Sequence, residues 1–232
     1  MQVTLPYDIN HLLIKKEHFL HRSFVHGIGH SIRVSIFSSL IGEKTGYLRK
    51  GQIASVAALF HDLARSSDGD DQVHGVVAVE TILPQFEEEI KAVGFSEEEI
   101  AEMKTAIKWH CLTDELPQSH PHSITTWIIK DADALDRLRT KALDGRYLRF
   151  NQSAELTGTI RDFYKKMIDN AAMISSRQER MEEIVEIIKG WLEDNSGFGV
   201  LLSRLEAFPK ETVEEITSII DSPRPYEIFV KK

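Results

Sequence analysis

A single cysteine, Cys111, in 232 residues leaves no partner for an internal disulfide and is the usage expected of a reducing cytoplasm. No apolar run approaches the ~20 residues of a bilayer span, so no membrane association is expected. The opening Met1-Gln-Val-Thr-Leu-Pro-Tyr-Asp8 lacks the charged-then-apolar layout of a secretory signal. A basic excess is also missing: 28 Lys and Arg stand against 36 Asp and Glu, a net charge of −8. Non-specific affinity for nucleic acid comes mostly from neutralising phosphate, so an extended duplex is not an expected partner. A small phosphorylated ligand is compatible with this acidity, because a bound dication and a few local Arg or Lys residues reverse the field inside one pocket.

Sustained strand alternation is absent too, and the periodicity is helical nearly throughout. Residues 30–42 place His30, Val34, Phe37 and Ile41 on one face. Residues 52–64 are apolar nearly all round, which predicts a central buried helix. Ser96-Glu-Glu-Glu99 reads as a capping box opening a helix that runs to about His110, with Ile100, Met103, Ile107 and His110 sharing a face. Residues 124–139 continue the pattern through Ile124, Ile128, Leu135 and Leu138. Further amphipathic segments follow at about 156–173, 177–194, 199–208 and 211–221, the last two punctuated by Pro209 and Ser222-Pro-Arg-Pro225. The expected fold is all-α. No Gly/Ser linker divides the chain, so 1–232 reads as one domain with a helical extension from about 141. Trp109, Trp127 and Trp191 read as core aromatics, and Phe229 and Val230 leave a homodimer open.

The ten histidines all lie between His11 and His122, which assigns any metal chemistry to the first ~140 residues. His11, His18, His21, His26 and His30 compete for one position, and His30 sits on the apolar face with Val34 and Phe37. His61-Asp62 closes the apolar run, its two side chains diverging by ~100° around a helix. Asp131, Asp133 and Asp136 form an acidic run among apolar neighbours. His74 and His110 stand at the expected start and end of helices, where either could also serve a structural role.

At these residues the chain resembles the HD-domain superfamily of metal-dependent phosphohydrolases. The matching stretches are His30-Ser-Ile-Arg33-Val34, Leu59-Phe-His61-Asp62-Leu63-Ala64-Arg65 and Lys130-Asp-Ala-Asp133-Ala-Leu135-Asp136. The resemblance covers about residues 20–140 and implies an HD-type helical bundle with additional C-terminal helices. It selects His30 over His26 and Asp133 over Asp131 and Asp136, with His61 and Asp62 completing a metal set. The stretches at His74 and His110 are similar to the third and fourth ligand regions of two-metal members. One or two divalent ions are therefore expected, with Mn, Fe, Ni, Co, Zn and Mg all admissible.

A bound dication lowers the pKa of coordinated water from 15.7 towards ~7 and neutralises phosphate charge. The expected activity is hydrolysis of a phosphomonoester or phosphoanhydride bond in a small substrate, a nucleotide first. In this scheme Asp62 positions or deprotonates the water and Arg65 neutralises phosphate. Arg65 and Ser66 replace the acidic pair of the family's alarmone hydrolases. Cyclic-dinucleotide phosphodiesterases carry a Gly-Tyr-Pro signature that is absent here, and Cys111 stands where their second adjacent histidine would be. Arg33 and Lys130 are expected in supporting roles. A di-iron oxygenase and a non-catalytic metal-binding or sensor module are the alternatives, and His26, His120 and His122 stay open as extra ligands.

Overall fold

The computed structural model describes residues 14, 16–21, 23, 25–140 and 143–171. The segments expected after 171, with Trp191, Phe229 and Val230, lie outside the described residues, as does His11. Among the described residues there is no strand, and the architecture is all-α. Seven α-helices run in the order α1 (Ile28–Thr45), α2 (Leu48–Phe60), α3 (His74–Val77), α4 (Glu87–Ala92), α5 (Glu97–His110), α6 (Ser123–Asp136) and α7 (Asn151–Ala171). No helix among them is long and apolar enough to cross a membrane.

The apolar run of α2 makes it the central element, because no face of it can be left to water. Ile53 to Phe60 are all buried, and α2 packs against α1, α5 and α6. Helices α1 and α2 approach through two glycines: a methyl built on Gly42 would lie 2.4 Å from Gly51 Cα. Gly46 ends α1 at φ 78°, a left-handed conformation that glycine adopts without Cβ strain. Ser96 and Glu99 form the expected reciprocal capping box on α5.

Between α3 and α4 the chain stays helical but changes pitch, passing through a π turn (Ala78–Ile82) and a 3-10 turn (Leu83–Phe86) at Pro84, whose ring nitrogen cannot donate. The α6 helix stops at Asp136 and continues as a 3-10 turn to Thr140. Leu156, Ile160 and Tyr164, four residues apart on α7, are buried, and that helix packs on α6 and α1. Trp109 and Trp127 are half-buried rather than core residues. The core is built instead from aliphatic side chains with Phe37, Phe60, Phe95 and Tyr164.

Candidate metal centre

Each helix delivers its ligand-type residue by a different local device. His30 lies in the first turn of α1, on the buried face with Val34 and Phe37. His61 and Asp62 fall just past the last residue of α2, in a turn rather than within the helix the sequence suggested. The backbone there tightens to three-residue steps, Leu63 N donating to Phe60 O at 3.3 Å and Arg65 N to Asp62 O at 3.2 Å. His74 opens α3, anchored by Asp71, whose carboxylate accepts from the backbone N–H of Val73 and of His74 at 3.2 and 3.1 Å. Gly75 sets α3 against α5 at backbone distance, since a Cβ there would meet Ile107 O at 2.3 Å. His110 is the last residue of α5, and Asp133 projects from α6.

The six residues expected from the sequence converge. His30 Nε2 lies 3.2 Å from His61 Nε2, 3.3 Å from Asp62 Oδ2 and 3.2 Å from Asp133 Oδ1. On the other side, His74 Nε2 lies 2.9 Å from His110 Nε2 and 3.0 Å from Asp62 Oδ1. His110 Nε2 is 3.5 Å from the same Asp62 oxygen. Asp62 thus turns Oδ2 to His30 and His61 and Oδ1 to His74 and His110. Neighbouring ligands on a six-coordinate ion with bonds near 2.1 Å sit about 3.0 Å apart, and on a tetrahedral ion about 3.4 Å apart. The closest pairs in both halves, 2.9 to 3.3 Å apart, lie near these spacings.

The hydrogen bonds behind the rings fix what faces inward. His61 Nδ1 donates to Ala58 O at 2.6 Å, His110 Nδ1 to Ile107 O at 2.6 Å, and His74 Nδ1 to Asp71 O. His30 Nδ1 donates to Asp136 Oδ2 at 2.8 Å. With the proton on Nδ1, a neutral imidazole presents the lone pair of Nε2. Two such lone pairs 2.9 Å apart at His74 and His110 repel unless a cation or a proton lies between them. The donor set therefore fits a metal.

Burial pushes the His61 imidazole down to about 3 against the pull of Asp62, which keeps it neutral. Burial also works against a charged His30, but its hydrogen bonds to Asp133, Asp136 and Asp62 outweigh this and raise it to about 10. Burial opposes the Asp62 carboxylate as well, yet His61 and the bonds from His110, His30 and His74 hold it well below the usual range.

The three aspartates of α6 do three jobs. Asp133, partly open to the cavity, faces His30. Asp131 is fully buried and accepts from the backbone N–H of Arg149 and Phe150, at 2.9 and 3.1 Å. Asp136 accepts from His30, Arg33 and Tyr164. Arg33 supports the site through this contact, donating to Asp136 from Nε at 2.7 Å. Lys130 instead holds the carbonyls of Leu112 and Asp114 and the Glu115 carboxylate.

Arg65 donates to Ser67 O at 3.1 Å and Gly69 O at 2.6 Å, bracing the loop after the doublet, and its Nη1 lies 3.5 Å from Asp62 Oδ1. Asp68 binds Ser23 and His26, the latter at 3.1 Å, which holds His26 at the cavity rim. His122 binds Thr105 Oγ1 at 2.8 Å and stacks edge-on with His120; both are half-buried rather than exposed, and neither borders the cavity. Sequence reasoning left Asp71 and Asp136 without roles. Asp71 sits three residues before His74 at a helix start, the usual place for a side chain that caps backbone donors, and Asp136 sits one turn beyond Asp133.

The centre lies at the floor of an open cavity of about 830 Å³, bordered by the Arg65–Asp71 loop on one side and by residues 143–149 on another. A family model described as the HD domain matches residues 27–138, the stretch that carries all six convergent residues. Residues 27–138 are an HD domain. Members of the HD-domain superfamily are mostly metal-dependent hydrolases and bind divalent metals. No curated protein and no solved structure matches the chain. The match spans α1 to α6 and ends within the 3-10 turn that follows, and α7 lies beyond it.

Proposed function

We propose that this HD-domain protein is a two-metal phosphohydrolase acting on a small phosphorylated substrate, a nucleotide first. The observation that carries this is the placement of Asp62 between two histidine pairs, one carboxylate oxygen turned to each. His30, His61, Asp62 and Asp133 would hold one ion, and His74, His110 and Asp62 the other. When bound, the ions neutralise phosphoryl charge and acidify water. Four imidazoles favour Mn, Fe, Co, Ni or Zn over Mg, which prefers oxygen ligands.

The remaining work falls to the chain. Both oxygens of Asp62 face imidazoles, so Asp62 acts by fixing the two halves of the centre relative to each other. Arg65 keeps two of its donors on loop carbonyls and turns Nη1 towards the centre, where a phosphoryl oxygen would lie. The cavity volume suits a ligand of nucleotide size. Tyr147, 67% exposed on its wall, and Leu143 offer apolar surface to a base at a distance from the metal-facing floor.

The test is hydrolysis of a panel of nucleoside mono-, di- and triphosphates and simple phosphoesters with added Mn²⁺, run on wild type and Asp62→Ala. Release of phosphate or pyrophosphate by wild type alone supports the proposal, and the best substrate names the class. Equal release by both proteins, or none from any substrate by a metal-loaded wild type, overturns it. In the second case oxygen uptake with Fe²⁺ separates the oxygenase reading from a silent sensor.

A further inference from the structure

Cys111 directly follows His110 at the end of α5 and borders the cavity. Ligand atoms of His74, His110 and Cys111 all lie within 4.8 Å of one another. The thiol reaches this position because residue 75 is glycine: a Cβ there would stand 3.2 Å from Cys111 Sγ. The thiol donates to Gln72 O at 3.5 Å and Lys108 O at 3.8 Å, the weak hydrogen bonds of an S–H donor, which a metal–sulfur bond would replace. Asp62 Oδ1 lies 3.0 and 3.5 Å from the two imidazole nitrogens of this group.

We propose that Cys111 is a thiolate ligand of the His74–His110 subsite, which thereby becomes a four-donor set of two nitrogens, one carboxylate oxygen and one sulfur. The proposal rests on the two-metal reading and adds to it a chemical difference between the two halves. A tetrahedral zinc ion with ordinary bond lengths holds sulfur and nitrogen about 3.6 Å apart, within reach of a modest rotation of the cysteine side chain. On coordination the sulfur–metal bond replaces the S–H bond, and the proton leaves to solvent. Thiolate favours zinc and disfavours Mn²⁺ and Mg²⁺, so this half selects a soft ion and surrounds it with protein. The His30–His61–Asp133 half contains only nitrogen and oxygen donors, and Asp133 opens onto the cavity. It keeps room for water and substrate. One ion is thus held and the other works beside it.

Cobalt makes the sulfur visible. Metal-free full-length protein is titrated with Co²⁺ in thiol-free buffer and followed by absorbance, with bound cobalt measured in parallel. Because the chain has one cysteine, any thiolate-to-cobalt charge-transfer band in the near ultraviolet belongs to Cys111. The expected result is such a band, erased by Zn²⁺ competition, absent in Cys111→Ser and lost in His74→Ala. Circular dichroism checks that both variants fold. Two bound cobalt ions with no charge-transfer band would overturn the role of Cys111 and leave the two-metal reading standing. Fewer than two ions bound, again with no band, would overturn both.

Discussion

His30 donates from Nδ1 to Asp136 Oδ2 over 2.8 Å, joining the start of α1 to the end of α6 across 106 residues of chain. The same carboxylate takes Arg33 Nε at 2.7 Å, Arg139 Nη1 at 2.9 Å and the Tyr164 hydroxyl, and its side chain is fully buried. Asp136 therefore aims the His30 ring, and it ties α7 to the element that carries Asp133.

Asp136→Asn keeps the shape and removes the charge. It leaves Arg33 and Arg139 facing a neutral amide, which is expected to cost about 3–5 kcal/mol of stability, the usual penalty for breaking a buried ion pair. Metal affinity should fall by about 10–100-fold, because the partner orienting a ligand histidine is lost. Chemical denaturation and metal titration check the two effects. A variant with wild-type metal affinity would remove Asp136 from the support of His30.

Gly75→Ala tests how α3 is held. The added methyl meets Ile107 O at 2.3 Å, a backbone atom that cannot swing aside, so α3 must move off α5. The expected loss is about 1–3 kcal/mol of stability, the range for overpacking. The ion at His74 and His110 should be lost while the one at His30 and His61 is retained. Metal content per folded protein reads this directly, and an unchanged ratio would contradict it.

Much of this was legible in the sequence, for identifiable reasons. The all-round apolar run of α2 has only one place to go, the centre of a bundle, and the Ser96–Glu99 box carries its own start signal. Imidazoles and carboxylates in apolar settings narrow the candidates, and the resemblance to HD-domain proteins then selects His30 over His26 and Asp133 over Asp131 and Asp136. The tightened turn at His61-Asp62 was not legible, because an apolar helix and a 3-10 exit from it share the same residue pattern. The roles of Asp131 and Asp136 were hidden for a related reason. Three acids on one helix look alike until the partners, Arg149 and Arg33, arrive from distant parts of the chain. The pitch changes across Val77–Phe86 had only Pro84 to announce them.

The pH dependence of metal uptake follows from His30. In the metal-free protein burial opposes its charge, but Asp133, Asp136 and Asp62 keep it protonated up to about pH 10. A ligand imidazole must be neutral, so an incoming ion displaces that proton. Uptake at about pH 8 should release a proton from this residue, and apparent affinity should climb by up to about tenfold per pH unit until it levels near pH 10. The linked stability has the opposite sign: with its pKa raised above 6.5, His30 stabilises the metal-free fold fully below that pH and progressively less as pH rises towards 10. Proton release in weakly buffered solution and melting temperature against pH check the pair. Affinity that does not change between pH 7 and 9 would contradict the assignment of His30.

The most direct test of the central claim is anomalous diffraction from crystals grown with Mn²⁺ and Zn²⁺, collected at both absorption edges. The account expects two peaks about 3.5–4 Å apart on either side of the Asp62 carboxylate, one against His30 and His61 and one against His74 and His110. A single peak, or two peaks that Asp62 does not bridge, would contradict it.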